Sequence, residues 1–158
     1  MMFGEYFPNP GTFPHPDQLS AVTLLDALLV EAWATCVLAF VIFALTDQHN
    51  TTTGRDKVAV PALIGATVSV LVSLYAPLTQ AGMNPARDLG PRVFAAMAGW
   101  GTVALPGPRG GFWVYVVGPI VGALVGAALY DLVVSKVVRT LLSQRIQPVD
   151  VDRDRRVN

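Results

Sequence analysis

Three long apolar runs dominate the sequence, at residues 19–45, 58–77 and 112–138. As an α-helix, a run of about 20 residues is 30 Å long, which matches the hydrocarbon core of a bilayer. Only 14% of the residues are charged, against about 25% in a typical soluble domain. Because every backbone polar group inside lipid must be satisfied internally, apolar runs of this length fold as helices. We therefore predict an all-α membrane protein with three transmembrane helices.

The basic residues are unevenly distributed along the chain. None occurs before Arg55, and those that border the apolar runs lie in the first loop and after the third run: Arg55, Lys57, Lys136, Arg139 and Arg145. Since loops rich in Lys and Arg stay on the cytoplasmic side, three spans place the N-terminus outside and the C-terminus in the cytoplasm. We expect a multi-pass protein of the cell membrane (the inner or plasma membrane). Residues 1–18 would form an extracellular loop segment, and residues 139–158 a charged cytoplasmic tail.

A different kind of segment follows the second run, at residues 84–98. Asn84 can cap a helix, Pro85 suits the first helical position, and Asp88 lies in the first turn, where the helix dipole favours an acid. Yet about 15 residues make only about 22 Å of helix, too short to cross a bilayer. The segment is either a surface loop helix or a half-helix that dips into the membrane. In the second case residues 79–83 would be non-helical backbone that lines a cavity.

The residues around this helix start resemble a known motif. Residues 82–101, GMNPARDLGPRVFAAMAGWG, are similar to the second NPA box of the aquaporin family, the major intrinsic proteins. An aspartate directly after NPAR, Asp88, and a basic residue four positions later, Arg92, are typical of its glycerol-conducting branch, the aquaglyceroporins. Weaker blocks agree in order and spacing: Tyr6-Phe7-Pro8-Asn9-Pro10, Glu31 with Thr35, and the stretch from Val117 to Tyr130. The resemblance covers residues 6–135.

This resemblance implies the second inverted repeat of the aquaporin fold, with three spans and one re-entrant half-helix in residues 19–138. Complete members of the family contain two such repeats, and no first NPA box occurs in this sequence. The implied function is a passive half-pore for small uncharged solutes. It would need a complementary first half, either a separate chain or a missing N-terminal repeat. The family also implies a homo-oligomer, a tetramer, surrounded by membrane lipid.

The resemblance assigns pore roles to the four residues of the box, Asn84, Pro85, Ala86 and Arg87. Asn84 would present its amide NH2 to the passing solute, and Pro85 would pack against the partner box. Arg87 would donate hydrogen bonds to the solute at the selectivity constriction and repel cations. From the residues alone, Arg87 could instead be an interfacial arginine paired with Asp88.

Two further constriction positions, by the same resemblance, fall on Val72 and Ala81. This small apolar pair resembles the pattern of plant nodulin-type intrinsic proteins, which pass glycerol, water and small neutral metalloid hydroxides. One arginine beside two small apolar side chains suits a neutral solute that carries both CH and OH groups. The expected solutes are therefore small neutral molecules in general, with glycerol as one of them.

Glu31 lies near the middle of the first run, where a carboxylate needs partners. In the family the matching glutamate accepts hydrogen bonds from the N–H groups of the re-entrant loop. The loop carbonyls would then face the lumen as a ladder of acceptors, at Thr79, Gln80, Ala81, Gly82 and Met83. A proton-relay role for Glu31 is the alternative. Asp88 and Arg92, four residues apart on the half-helix, can pair and would support the loop.

Other classes of function find no support in the sequence. It contains no catalytic triad, nucleotide-binding loop or metal-ligand cluster, so we expect no enzyme activity, no cofactor and no metal site. The net charge of zero gives no reason to expect nucleic-acid binding. The second hypothesis is a truncated, non-conducting membrane protein or fragment that acts only through helix–helix interaction. Gly118, Gly122 and Gly126 would let a neighbouring helix approach closely, and plain packing is the simpler interpretation of that stripe.

Overall fold

The computed structural model describes residues 4–48, 50, 57–137 and 140, and all regular structure in these residues is helical. The framework consists of α1 (Leu24–Thr46), α2 (Ala59–Thr79), α3 (Pro85–Ala95) and α4 (Val114–Tyr130). Short 3-10 helices lie at Pro16–Ser20, Gly101–Val103 and Pro108–Trp113, and π-helical turns follow α3 at Ala96–Trp100 and α4 at Asp131–Ser135. The described residues contain no strand, which confirms the prediction of an all-α protein.

Three of the helical segments are long and apolar enough to cross a membrane: Leu24–Thr46, Ala59–Thr79 and Pro108–Val134. The third consists of α4 together with the shorter helices at its two ends. In contrast, α3 has 11 residues, which makes a helix of only about 16 Å. The predicted architecture of three spans and one short half-helix is therefore the one observed.

The helix ends differ from the apolar runs for local reasons. The first helix begins at Leu24 rather than at residue 19, because Thr23 and Asp26 form a reciprocal cap. The Thr23 hydroxyl accepts from the Asp26 N–H, and the Asp26 carboxylate accepts from the Thr23 N–H and hydroxyl. The second helix continues to Thr79, past Pro77, and Gln80 ends it in a left-handed conformation.

The short helix and the tail also depart from the predicted bounds. Regular α-helix in α3 ends at Ala95, and the π-helical turn that follows contains Gly99 at a φ of 98°. Of the predicted cytoplasmic tail, only residue 140 lies among the described residues. Of the first polar loop, the structure describes the start, residues 46–48, and residues 50 and 57.

Helices α1 and α4 pack tightly along a glycine stripe. A Cβ atom added at Gly118 would lie 2.9 Å from the Cβ of Glu31. At Gly122 and Gly126 it would collide with the backbone oxygens of Ala32 and Cys36. The stripe is therefore used within the chain, as a packing surface that brings the two helix backbones together.

Much of the apolar surface of the spans is exposed. Leu29 and Trp33 of α1, Val70 and Leu74 of α2, and Leu124 of α4 each have more than half of their surface accessible. Soluble monomers rarely expose apolar patches this extensive. Such faces suit contact with lipid or with another apolar helix.

Candidate pore-lining site

The link between α2 and α3 is a non-helical loop, residues 80–84, with an unusual backbone. Gln80, Ala81 and Met83 have positive φ values of 65°, 53° and 50°. The left-handed region costs a non-glycine residue roughly 1–2 kcal/mol, so surrounding contacts must impose it. These contacts come from α1, α4 and the N-terminal segment.

Glu31 of α1 holds the loop through hydrogen bonds. It is completely buried, and its Oε1 accepts hydrogen bonds from the Thr79 hydroxyl at 2.6 Å and from the Gly82 N–H at 3.0 Å. Its Oε2 accepts from the Met83 N–H at 2.7 Å. Both oxygens thus accept hydrogen bonds from buried donors, which are the contacts that the predicted supporting role requires.

Thr79, the first residue of the predicted carbonyl ladder, is bonded through both its hydroxyl and its carbonyl. This residue is the last of α2, its hydroxyl binds Glu31, and its carbonyl accepts from the Tyr115 hydroxyl at 2.9 Å. The Thr79 carbonyl is therefore hydrogen-bonded to α4 inside the protein, at the last residue of a helix that continues two residues beyond the apolar run. Tyr115 also limits the loop sterically, since a Cβ at Gly82 would lie 2.9 Å from the tyrosine ring.

Asn84 caps the N-terminus of α3. Its Oδ1 accepts from the Ala86 N–H at 2.9 Å and from the Arg87 N–H at 3.3 Å. Asn84 is exposed, and its side-chain NH2 donates to no group among the described residues. A free amide donor therefore lies beside the positive end of a helix dipole.

Arg87 follows one turn later and reaches back over the loop. Its Nη1 donates to the carbonyl oxygens of Ala81 at 3.0 Å and Gly82 at 3.3 Å. The same nitrogen forms an ion pair with Glu5 Oε1 at 2.6 Å, and half of the arginine side chain is exposed. The partner of Arg87 is thus Glu5 and not Asp88, the residue that the interfacial alternative required.

Asp88 and Arg92, both on α3, form a buried ion pair in which Arg92 Nε lies 2.7 Å from Asp88 Oδ2. Arg92 also donates to the carbonyl oxygens of Ala104, at 3.2 Å, and Glu5. The other oxygen of Asp88 accepts from the Glu5 N–H at 2.7 Å. The pair therefore ties α3 to the N-terminal segment and to the loop after α3.

The open face of the loop borders a cavity of about 300 Å³. Its lining combines polar groups of the loop and of α3 with aliphatic side chains of α1 and α2: Leu38, Val68, Val72, Ala81, Gly82, Met83, Asn84 and Arg87. Both predicted constriction positions, Val72 and Ala81, are among them. Ala81 is only 1% exposed and packs its methyl group in an apolar cluster with Leu71 and Met83. Its main contribution to the site is therefore its carbonyl oxygen, which accepts from Arg87.

Three contacts of the site involve Glu5, Tyr6 and Tyr115, to which the sequence analysis assigned no contact there. Glu5 pairs with Arg87, Tyr115 binds the end of α2, and the Tyr6 N–H donates to the Gln80 side-chain oxygen at 2.6 Å. Burial raises the pKa of the Glu5 carboxyl, and the neighbouring Arg87 charge opposes this shift. Tyr6 stood within a block that resembled the family, but no signal in the sequence indicated the partner of Glu5.

No group of three or more His, Cys, Asp or Glu side chains in the described part of the chain is arranged to hold a metal ion. What the site offers instead is a set of hydrogen-bond donors and acceptors beside an aliphatic wall. Such a surface can bind a small molecule that carries hydroxyl groups on a carbon skeleton.

Comparison with known proteins finds a family profile and several related proteins that match most of the chain. The family profile described as major intrinsic protein matches residues 12–130. The propanediol uptake facilitator PduF of Citrobacter freundii is 46% identical over 120 residues, which are 74% of this chain and 44% of that protein. The glycerol uptake facilitator protein of Escherichia coli K12 is 43% identical over 127 residues, 79% of this chain and 43% of that protein.

The fold is also similar to that of a solved structure. The X-ray structure of the aquaglyceroporin from Plasmodium falciparum superimposes with a TM-score of 0.73 at 24% sequence identity, and covers 87% of this chain and 52% of that chain. The matched region is thus about half the length of these relatives or less. A half-helix that starts at an NPAR box, a matching fold and a family match over most of the sequence agree: the chain belongs to the major intrinsic protein family.

Proposed function

We propose that this chain forms one wall of a passive membrane channel for small uncharged solutes, with polyols such as glycerol or propanediol as the preferred class. One observation carries this proposal. The Arg87 guanidinium, the free Asn84 amide and the loop carbonyls meet at one cavity, opposite the aliphatic side chains of Leu38, Val68 and Val72. Two relatives that match more than two thirds of the chain are named for the uptake of glycerol and propanediol.

The chemistry of this wall suits a neutral solute with hydroxyl groups on one side and CH groups on the other. Arg87 and Asn84 donate to solute oxygens, while aliphatic side chains contact the carbon skeleton. The positive end of α3 and the Arg87 charge disfavour cations and protons. Water and neutral metalloid hydroxides fit the same donors, in line with the small apolar pair Val72 and Ala81.

A complementary first repeat would close the pore. Asn84, Ala86 and Arg87 are all exposed at the start of α3. At the depth of a bilayer, each unsatisfied polar group would cost several kcal/mol in contact with hydrocarbon. We infer that a second half-helix, from another chain or from a preceding repeat, covers this surface. The half-pore then takes no part in chemistry and uses no cofactor.

We further propose that the N-terminal side of the chain faces outward, because the basic residues border the opposite ends of the spans. The assembly would lie in the cell membrane as a homo-oligomer, a tetramer by family resemblance. The exposed apolar faces of α2 and α4 provide surface for such contacts.

The second candidate function is helix–helix interaction without conduction. The exposed residues Val70 and Leu74 on α2 favour it, since this helix has little of its surface covered within the chain. The flux experiment below separates it from the channel, because an interaction protein would bind a first repeat without passing solute.

Solute flux into proteoliposomes tests the proposal. Vesicles would contain this chain alone, a first-repeat chain alone, or both. Light scattering would follow glycerol entry, with sucrose as a much larger comparison solute. We expect glycerol-specific flux only with both chains, and a loss of most of it in Arg87→Leu. Ser73→Ala is the matched control, since this exposed hydroxyl bonds only within α2. No flux with both halves present would refute the channel, and flux with this chain alone would refute the need for a complement.

A further inference from the structure

The N-terminal segment, residues 4–10, packs against the loop and the adjoining ends of α2 and α3. It is held by backbone and amide contacts: the Asn9 N–H donates to the Leu78 carbonyl at 3.0 Å, and the Asn9 side chain donates to the Ala76 carbonyl at 2.7 Å. The Tyr6 N–H binds the Gln80 side chain, and the Glu5 N–H binds Asp88. The backbone of Glu5 is therefore fixed independently of its own carboxylate.

The Glu5 side chain points from this segment to the guanidinium of Arg87. Its Oε1 is 2.6 Å from Nη1, and only 13% of the Glu5 side chain is exposed. The methylene groups of Glu5 lie against Gly82, where a Cβ would be 3.5 Å from the Glu5 Cγ. Arg87 thus has three partners, which are this carboxylate and the two loop carbonyls of Ala81 and Gly82.

We propose that Glu5 is a positioning residue of the solute pathway, which holds the Arg87 guanidinium in place and offsets its charge. This proposal rests on the proposed channel function. Glu5 does not line the cavity, so it acts through Arg87 and not on the solute. With Glu5 ionised, Arg87 has a fixed orientation for donating to a hydroxyl group. With Glu5 neutral, Arg87 keeps its two carbonyl bonds but loses its charged partner.

Several charged groups surround Glu5, and most of them are already paired or hydrogen-bonded with other groups. Helix α3 contributes Arg87, Asp88 and Arg92, and α1 contributes Glu31. Asp88 and Arg92 pair with each other, and Glu31 accepts from the loop. Arg87 therefore remains as the charge that pairs with the Glu5 carboxylate.

The Tyr115 hydroxyl of α4, which is also near this cluster, donates to the Thr79 carbonyl and is not a partner of Glu5. Burial raises the pKa of Glu5 above the ordinary glutamate value of 4.5. Because its pKa is raised, Glu5 becomes protonated and loses its ion pair with Arg87 at a higher pH than an ordinary glutamate would.

The pH dependence of glycerol flux tests this role. In vesicles with both halves, we expect glycerol flux to fall as the pH is lowered from about 7.5 toward about 4. Once Glu5 is protonated the loss should reach roughly fivefold, the factor that one net hydrogen bond represents. Glu5→Gln should be low and independent of pH over this range, and Glu5→Asp, which keeps a carboxylate, should restore a pH-dependent profile. Asp17→Asn, an exposed carboxyl on the same side of the membrane, should behave like the wild type. A flat wild-type profile, or a Glu5→Gln variant that titrates like the wild type, would overturn the proposal.

An NMR titration of the chain in lipid nanodiscs tests the same pairing without flux. The ¹³C carboxyl signal of Glu5, assigned by its absence in Glu5→Gln, should titrate above pH 4.5, and the Arg87 Nη signals should shift over the same interval. Arg87 signals that do not respond to this titration would overturn the positioning role. Absence of flux at neutral pH with both halves, together with a coupled titration, would instead locate the failure in the proposed channel function.

Discussion

Replacing Glu31 by glutamine tests how the loop before α3 is held. The two carboxylate oxygens accept from three buried donors, which are the Thr79 hydroxyl and the N–H groups of Gly82 and Met83. Glutamine can keep a carbonyl oxygen at the position of Oε1, but it then turns an NH2 group toward the Met83 N–H. One buried donor loses its partner, so we expect the free energy of unfolding to fall by about 1–3 kcal/mol. Glu31→Ala removes the acceptor of all three donors and should cost roughly 3 kcal/mol or more.

Unfolding in mixed micelles with increasing SDS fraction measures these costs. The fluorescence of Trp33, Trp100 and Trp113 reports the transition, and Asp17→Asn serves as an exposed carboxyl-to-amide control. The expected order of stability is wild type and Asp17→Asn, then glutamine, then alanine at position 31. A glutamine variant as stable as the wild type would refute the reasoning, because it would mean that the third donor needs no acceptor. A glutamine variant as unstable as alanine would show that charge, and not the number of acceptors, holds the loop.

Three further predictions concern packing, the buried ion pair and topology. Gly122→Val should lower the free energy of unfolding by about 1–3 kcal/mol, because it forces α1 and α4 apart. The control Gly65→Val, with open space around the added Cβ, should change the free energy of unfolding little. Equal effects of the two substitutions would contradict the packing role. Asp88→Asn leaves a buried guanidinium without its carboxylate and should cost about 3–5 kcal/mol in SDS unfolding, and a neutral result would mean that the pair does not support α3. In a cysteine-free background, a membrane-impermeant maleimide should label Gly11→Cys in intact cells and Lys57→Cys only after permeabilisation, and the reverse pattern would exclude an outward N-terminus.

The parts of the fold that depend on short-range chemistry were predictable from the sequence. The apolar runs at 19–45, 58–77 and 112–138 correspond to the three spans, because the length and hydropathy of a helix in lipid are properties of one contiguous segment. The start of α3 was equally local, since Asn84 and Pro85 act on N–H groups within the next three residues. Helix ends were less accurate where a side-chain cap outweighed hydropathy, as at Thr23.

Contacts between residues far apart in the sequence could not be predicted in this way. The partner of Arg87 is 82 positions away at Glu5, in a segment without regular structure, so no periodicity in the sequence links the two residues. Thr79 was assigned to a lumen-facing ladder, but the direction of its carbonyl depends on where α2 ends and on the Tyr115 hydroxyl that binds it. The position of Glu31 opposite the loop was expected from family resemblance, and not from the residues themselves.

The sequence by itself therefore determined which segments enter the membrane as helices, where the half-helix starts and which donors lie at that start. Only the tertiary structure decided which acceptors those donors meet. The orientations of the Arg87 guanidinium and of the loop carbonyls depend on the close approach of α1 and α4 at Gly122 and on the ion pair between Arg87 and Glu5 of the N-terminal segment. The physical reason is range: burial and capping act within a few residues, whereas an ion pair or a carbonyl bond forms between any residues that packing brings within about 3 Å. The NPAR box thus specified the donors of the site, and the packing of α1, α4 and the N-terminal segment specified their geometry.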